Sequence, residues 1–219
     1  MDKQKKITQS EFVSVGKNFE TYIRESDLRL RTDESIVIHL DGVGFTHKYY
    51  KKFSNEIKNK VVEALANATK RICQDIKSIR VAYVCSDEVS FILDGQEIKI
   101  NDHNRLNKLV SKFASRLTLY FFELLININN DGIKELKENC IFSAKAYNLP
   151  SSKIEDYLKW RLMGCKKLIF DKRENFDKQA NWEKYGYILT KQEDWRINSV
   201  DFSNKDIKRS PQNEYYQIK

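Results

Sequence analysis

The chain has 219 residues, 41% hydrophobic and 32% charged, enough apolar material for a sizeable core and too much for an intrinsically disordered chain. Seven Gly and two Pro argue against an all-β sandwich with many tight turns, and no apolar run is long enough to span a bilayer, so no membrane partner is expected. Lys plus Arg is 39 against 31 for Asp plus Glu, and the resulting +8 suits a polyanion such as nucleic acid or nucleotide phosphates, or else reflects a lysine-rich sequence bias.

The opening "MDKQKKITQS" is polar and lacks the apolar stretch of a signal peptide. Residues 11 to 24 place Phe12, Val15, Phe19, Tyr22 and Ile23 at helical spacing. An apolar run at 36 to 40, broken only by His39, reads as a central strand. A helix over about 54 to 77 follows, with the stripe Ile57, Val61, Leu65, Ala68, Ile72 and Ile76. The runs 79 to 85 and 89 to 93, separated by "SDE", read as a hairpin. A second long helix, about 104 to 126, carries Leu106, Leu109, Phe113, Leu117, Tyr120 and Leu124, and "NINNDG" ends it in a loop. A fourth strand spans about 140 to 147, and a helix begins after Pro150, where Ser152 and Glu155 have capping-box spacing. Trp160, on that amphipathic helix, is expected in the core. Residues 182 to 191 suit an edge strand, and the tail after 196 reads as irregular. Four scattered cysteines without a CxxC pair argue against a zinc site and fit a reducing, cytoplasmic setting.

The order β-α-β-β-α-β predicts an α+β fold of the ferredoxin-like, split βαβ type. In that topology the third strand lies between the first and second, antiparallel to both. Asp41, just past the first strand, and Asp87, in the hairpin turn, then meet at one edge of the sheet with Glu88 beside them. Taken singly, "DG" and "SDE" are ordinary turn chemistry. Taken together, they are a carboxylate pair that needs cations between its members, and Mg²⁺ is the hard, oxygen-seeking choice. Gly42-Val43-Gly44 allows backbone N–H groups close to a phosphate, and Lys51 and Lys52, expected at the start of the following helix, would add positive charge for it.

Three stretches carry a family resemblance. They are "ESDLRLRTDESIVIHLDGVGF", "FSNEIKNKVVEALANATKRICQDIKSIRVAYVCSDEVSFIL" and "FSAKAYNLPSSKIEDYLKWRLMGC". They resemble the tRNA-His guanylyltransferase family, whose pattern runs D-G-R-x-F, A-Y-x-x-S-D-E-x-S, F-D-A-R and W-R-x-x-D. The resemblance covers about residues 20 to 165 of a single palm-type domain and leaves 166 to 219 as a divergent extension. It implies a polymerase-like palm with a pair of Mg²⁺ ions on Asp41, Gly42 and Asp87, and Glu88 among the catalytic residues. It also implies a nucleoside triphosphate, ATP or GTP, held by Gly42, Val43, Gly44, Phe45, Thr46 and Ser86. The implied reaction adds nucleotides to the 5′ end of tRNA, or of another RNA bearing a 5′-monophosphate. Lys145, Arg161, Lys166 and Lys167 are the implied RNA contacts, and a homodimer or homotetramer is the implied assembly. Departures from the pattern are Val43 for Arg, Thr46 for His, Ser143 for Asp, Lys145 for Arg and Gly164 for Asp, and "CKKLIFDKREN" replaces an Asn-rich segment.

Two other functions share the same residues. A palm of this topology also resembles nucleotide cyclases and signal-nucleotide synthases, which use triphosphates without RNA. The altered positions also suit a palm that binds nucleotide or RNA without turnover.

Overall fold

The computed structural model describes residues 28–102, 104–128, 133–170, 186–191, 194–199, 207–209 and 216–218. The predicted helix at 11 to 24 lies outside these residues. The fold is α+β. Strand β1 (Ser35–Gly42) leads through a π-helical turn, Thr46–Tyr50, to helix α1 (Asn55–Asp75). Strands β2 (Ile79–Cys85) and β3 (Glu88–Leu93) form the hairpin. Helices α2 (Gly95–Asp102), α3 (Leu106–Ile126) and α4 (Lys134–Asn139) precede β4 (Phe142–Leu149). A 3₁₀ turn over Ser151–Lys153 leads into α5 (Ile154–Phe170). Strands β5 (Tyr187–Lys191) and β6 (Trp195–Ser199) follow, and β7 (Ile207–Arg209) with β8 (Tyr216–Ile218) makes a separate two-stranded sheet.

The main sheet has strand order β4-β1-β3-β2-β5-β6, and each neighbouring pair is antiparallel. β3 therefore lies between β1 and β2, as the element order predicts. The period-2 alternation of strands sorts the side chains into two layers. Ile36, Ile38 and Leu40 of β1 join Ala82, Val84, Val89, Phe91 and Leu93 under α1 and α3. Val37 joins Val81, Tyr83, Cys85, Ile92 and Ile188 on the opposite face, covered by Ile154, Tyr157, Leu158 and Leu162 of α5.

Several expectations change. The helix α2 was not foreseen, because "GQEIKIND" shows no apolar stripe at helical spacing; of its described side chains Ile98 joins the core. The strand at the end of the 182–191 stretch is interior, between β2 and β6, and residues 197–199, expected to be irregular, complete strand β6. Trp160 is 60% exposed instead of buried. The stripe of α5 that meets the sheet is 154, 157, 158 and 162, and position 160 falls off it. Glu155 ion-pairs forward with Lys159 at 2.9 Å, and a 3₁₀ turn occupies the place of the expected capping box. Cys73 and Cys140 are free and buried, whereas Cys85 at the end of β2 is disulfide-bonded, a bond the scattered spacing gave no reason to expect. No helix among the described residues is long and apolar enough to cross a membrane.

Candidate active site

The two acidic motifs meet where the topology requires. The Gly42 N–H donates to the Asp87 carbonyl at 3.0 Å, which joins the end of β1 to the β2–β3 turn. Asp41 is the penultimate residue of β1, not a residue beyond it, and stands in register with Glu88 of β3 and Ser143 of β4. Alternation along β1 sends Val37, His39 and Asp41 to the α5 face of the sheet.

Each carboxylate has a distinct environment. Asp41 is open to solvent, yet the protein packed around its carboxyl holds it above the ordinary carboxylate range, against the pull of the Arg161 and Lys145 cations. Asp87 is only 7% exposed, and the Ser86 hydroxyl donates to its Oδ1 at 3.0 Å. Ser86 has a φ of 55°, a left-handed conformation that the tight turn imposes on a residue with a side chain. Its carbonyl accepts the hydroxyl of buried Tyr50 at 3.1 Å, so the turn is braced from the core. Glu88 is ion-paired with Arg161 of α5. Directly opposed carboxylates on one face of a sheet repel, and Arg161 offsets the charge of one of them.

The glycine segment divides into backbone and core. The Val43 N–H donates to the Ile141 carbonyl at 3.0 Å, and the Val43 side chain is 41% exposed. Gly44 has a φ of +73°, and its carbonyl accepts the Lys48 N–H at 2.9 Å. Phe45, expected at the nucleotide, has a fully buried ring packed on Tyr49, Tyr50, Phe121 and Phe142. Its backbone stays beside the site while the side chain serves the core. Thr46 opens the π-helical turn, and its side chain lies outside the described ones. Lys51 and Lys52 are not in the following helix but in the turn before it, since Ser54 caps α1. Lys52 is exposed and pairs with Glu135 at 3.1 Å.

A Cβ at Gly42 would lie 2.5 Å from Cδ2 and 2.7 Å from Cγ of the Phe45 ring. That ring is boxed in by four aromatic neighbours and cannot swing aside. Gly42→Ala is therefore expected to lower stability by about 1–3 kcal/mol, the usual range for overpacking, as urea unfolding would measure.

Of the implied RNA contacts, Arg161 is engaged by Glu88, and Lys145 is exposed on β4 opposite His39. Lys166 and Lys167 lie on the C-terminal half of α5, with side chains outside the described ones. Sequence reasoning missed the polar chain under α5. His39 Nδ1 lies 3.0 Å from the Ser90 hydroxyl, which lies 2.9 Å from the Tyr157 hydroxyl. Burial, with Arg161 and Lys145 nearby, lowers His39 to about 4, so its ring is neutral at pH 7. It is a strand residue satisfied by a hydroxyl, as the sequence reading expected.

Among the described residues no group of three or more His, Cys, Asp or Glu is arranged to hold a metal. The donor set is narrower: Asp41, Asp87 and the backbone at Gly42. Those are hard oxygens, and Mg²⁺ commonly takes one or two carboxylates and completes its shell with water and substrate phosphate. The residues present fit that ion.

A family model described as tRNAHis guanylyltransferase matches residues 14–150, more than half of the chain. The chain belongs to the tRNA-His guanylyltransferase family. Among curated members of this family, it is 30% identical over 140 residues to the tRNA(His) guanylyltransferase of Debaryomyces hansenii, covering 62% of this chain and 51% of that one. It is 30% identical over 133 residues to the enzyme of Neurospora crassa, covering 59% of this chain and 44% of that one. The chain thus spans about half the length of the curated relatives it matches. Among solved structures, a bacterial tRNA(His) guanylyltransferase-like protein in complex with GTP superposes with a TM-score of 0.69 at 21% identity, covering 85% of this chain and 91% of the other. That likeness establishes the shared fold.

Proposed function

We propose that the chain is a Mg²⁺-dependent nucleotidyltransferase that adds nucleotides to the 5′ end of tRNA or a tRNA-like RNA. Its sheet is read as the ferredoxin-like palm of polymerases and cyclases. The observation that carries the proposal is the Gly42–Asp87 backbone hydrogen bond of 3.0 Å, which unites the "DG" and "SDE" motifs in a member of this family. Family relatives named for guanylate transfer, and bacterial relatives solved with GTP and with ATP, support the choice of substrates.

Asp41, Asp87 and the Gly42 backbone would hold a pair of Mg²⁺ ions, which when bound offset phosphoryl charge and help align the attacking oxygen. The backbone from Gly42 to Thr46, with Ser86, takes the triphosphate. Lys51 and Lys52 lie in the exposed turn that follows and would supply positive charge for phosphate, Lys52 by exchanging its ion pair with Glu135. Glu88 is held by Arg161, which makes it a positioning residue rather than a further metal ligand. Lys145, Lys166 and Lys167 supply charge for the RNA backbone. The reaction has two stages. The RNA 5′-monophosphate is first activated by ATP or GTP with loss of pyrophosphate. A nucleotide 3′-hydroxyl then displaces the activating nucleotide. A homodimer or homotetramer is the assembly proposed, and the exposed apolar residues Leu119, Phe122 and Ile126 on α3 support it.

The test is incubation with GTP, ATP and Mg²⁺, with and without 5′-monophosphorylated tRNA. One-nucleotide extension of the tRNA, with no cyclic or linear signal nucleotide in the RNA-free arm, is expected. A product formed only without RNA would replace this reading with a cyclase or synthase.

A further inference from the structure

Helix α5 carries an aromatic side chain that neither the core nor the carboxylate pair accounts for. Trp160 is 60% exposed, although α5 buries Tyr157, Leu158 and Leu162 around it. Its indole is nevertheless held. The Arg161 guanidinium carbon lies 4.9 Å from the ring centroid, and the Tyr157 ring lies 5.9 Å away at 53°. The same Arg161 is ion-paired with Glu88, which stands in register with Asp41. A single cation thus fixes both the acidic edge and the exposed ring, and Trp160 sits at the lip of the site.

The side of the sheet decides what the ring meets. Phe45, Tyr49 and Tyr50 root the glycine segment in the layer under α1 and α3. Helix α5 covers the opposite layer, where Tyr157, Leu158 and Leu162 pack. A base stacked on Trp160 therefore reaches the carboxylates from the face opposite the glycine turn. With the triphosphate at that turn, the base on Trp160 belongs to the other reactant.

We propose that Trp160 is the stacking platform for the unpaired base at the 5′ end of the RNA strand, with Arg161 locking the indole in place. The proposal rests on the function proposed above. Every base offers a π-face, so such a platform accepts RNA ends without sequence preference. Charge complementarity favours the same occupant. The chain carries +8, and exposed Lys145 on β4 stands in register with His39, whose side chain lies on the α5 face of the sheet, which places Lys145 on this face.

The experiment measures binding of a fluorescently labelled, 5′-monophosphorylated single-stranded RNA tetramer by anisotropy, for the wild type, Trp160→Leu and Trp160→Phe. Trp160→Leu is expected to weaken binding about tenfold, and Trp160→Phe to stay within about twofold. GTP affinity should be unchanged in both variants. Their melting temperatures should also match the wild type, because the ring is largely in solvent. Wild-type RNA affinity in Trp160→Leu would overturn the proposal. So would a loss of GTP affinity, which would assign the ring to the triphosphate. An Asp41→Asn arm separates the two readings. If Asp41→Asn keeps full turnover while Trp160→Leu loses RNA, the platform stands and the metal-dependent function falls. If Asp41→Asn is inactive and Trp160→Leu binds RNA normally, the platform falls and the function stands.

Discussion

Asp41→Asn is expected to lower nucleotide addition about 10³-fold without lowering the melting temperature. The size follows from removing one of two carboxylates that would hold the cations, since metal stabilisation of phosphoryl charge supplies several kcal/mol of the barrier reduction. The neutral effect on stability follows from the local charges. Asp41 faces Glu88 across the β1–β3 pair, and its carboxyl is held above the ordinary range by the protein around it. A raised carboxyl pKa means that the charged form is disfavoured in the fold, so an uncharged isostere relieves cost instead of adding it. Single-turnover transfer and thermal unfolding of the same preparation give both readouts. A variant with wild-type turnover would remove Asp41 from the mechanism. A variant that is inactive because it is unfolded would make Asp41 a structural residue.

Phe45→Ala is expected to have the reverse signature, a loss of about 3–5 kcal/mol of stability. The ring is fully buried, with centroids 5.4 Å from Phe142, 5.7 Å from Tyr49, 6.0 Å from Phe121 and 6.1 Å from Tyr50. Truncation leaves a void between β1, β4 and α3 that these four rings cannot fill without leaving their own packing. The backbone at Gly42 rests on the same ring, so loss of nucleotide binding should accompany loss of fold and not precede it. Urea unfolding monitored beside GTP binding tests this. A stability loss below about 1 kcal/mol, or a binding defect in a fully stable variant, would return Phe45 to the nucleotide site.

The two signatures show which features were legible before the structure. The hairpin with "SDE" at its turn and the strand ending in "DG" could be read because apolar runs of strand length were bounded by turn residues. The topology then required them to meet, and the Gly42–Asp87 hydrogen bond shows that they do. The fate of individual side chains was less legible. Phe45 follows a glycine turn and looks like a cradle residue, but the π-helical turn after it swings the ring into the core. Trp160 lies on an amphipathic helix, and its exposure depends on the rotation of α5 against the sheet, which the packing of Ile154, Tyr157, Leu158 and Leu162 sets. The Arg161–Glu88 pair joins residues 73 apart in sequence. Nothing local signals it, since it exists only because α5 folds back over β3.

A crystal soaked in Mn²⁺ shows whether Asp41 and Asp87 hold divalent cations, as proposed. An anomalous peak within about 2.0–2.3 Å of a carboxylate oxygen from each residue, lost in Asp41→Asn, is expected. A peak on Glu88 in place of Asp87, or none at this edge of the sheet, would contradict it.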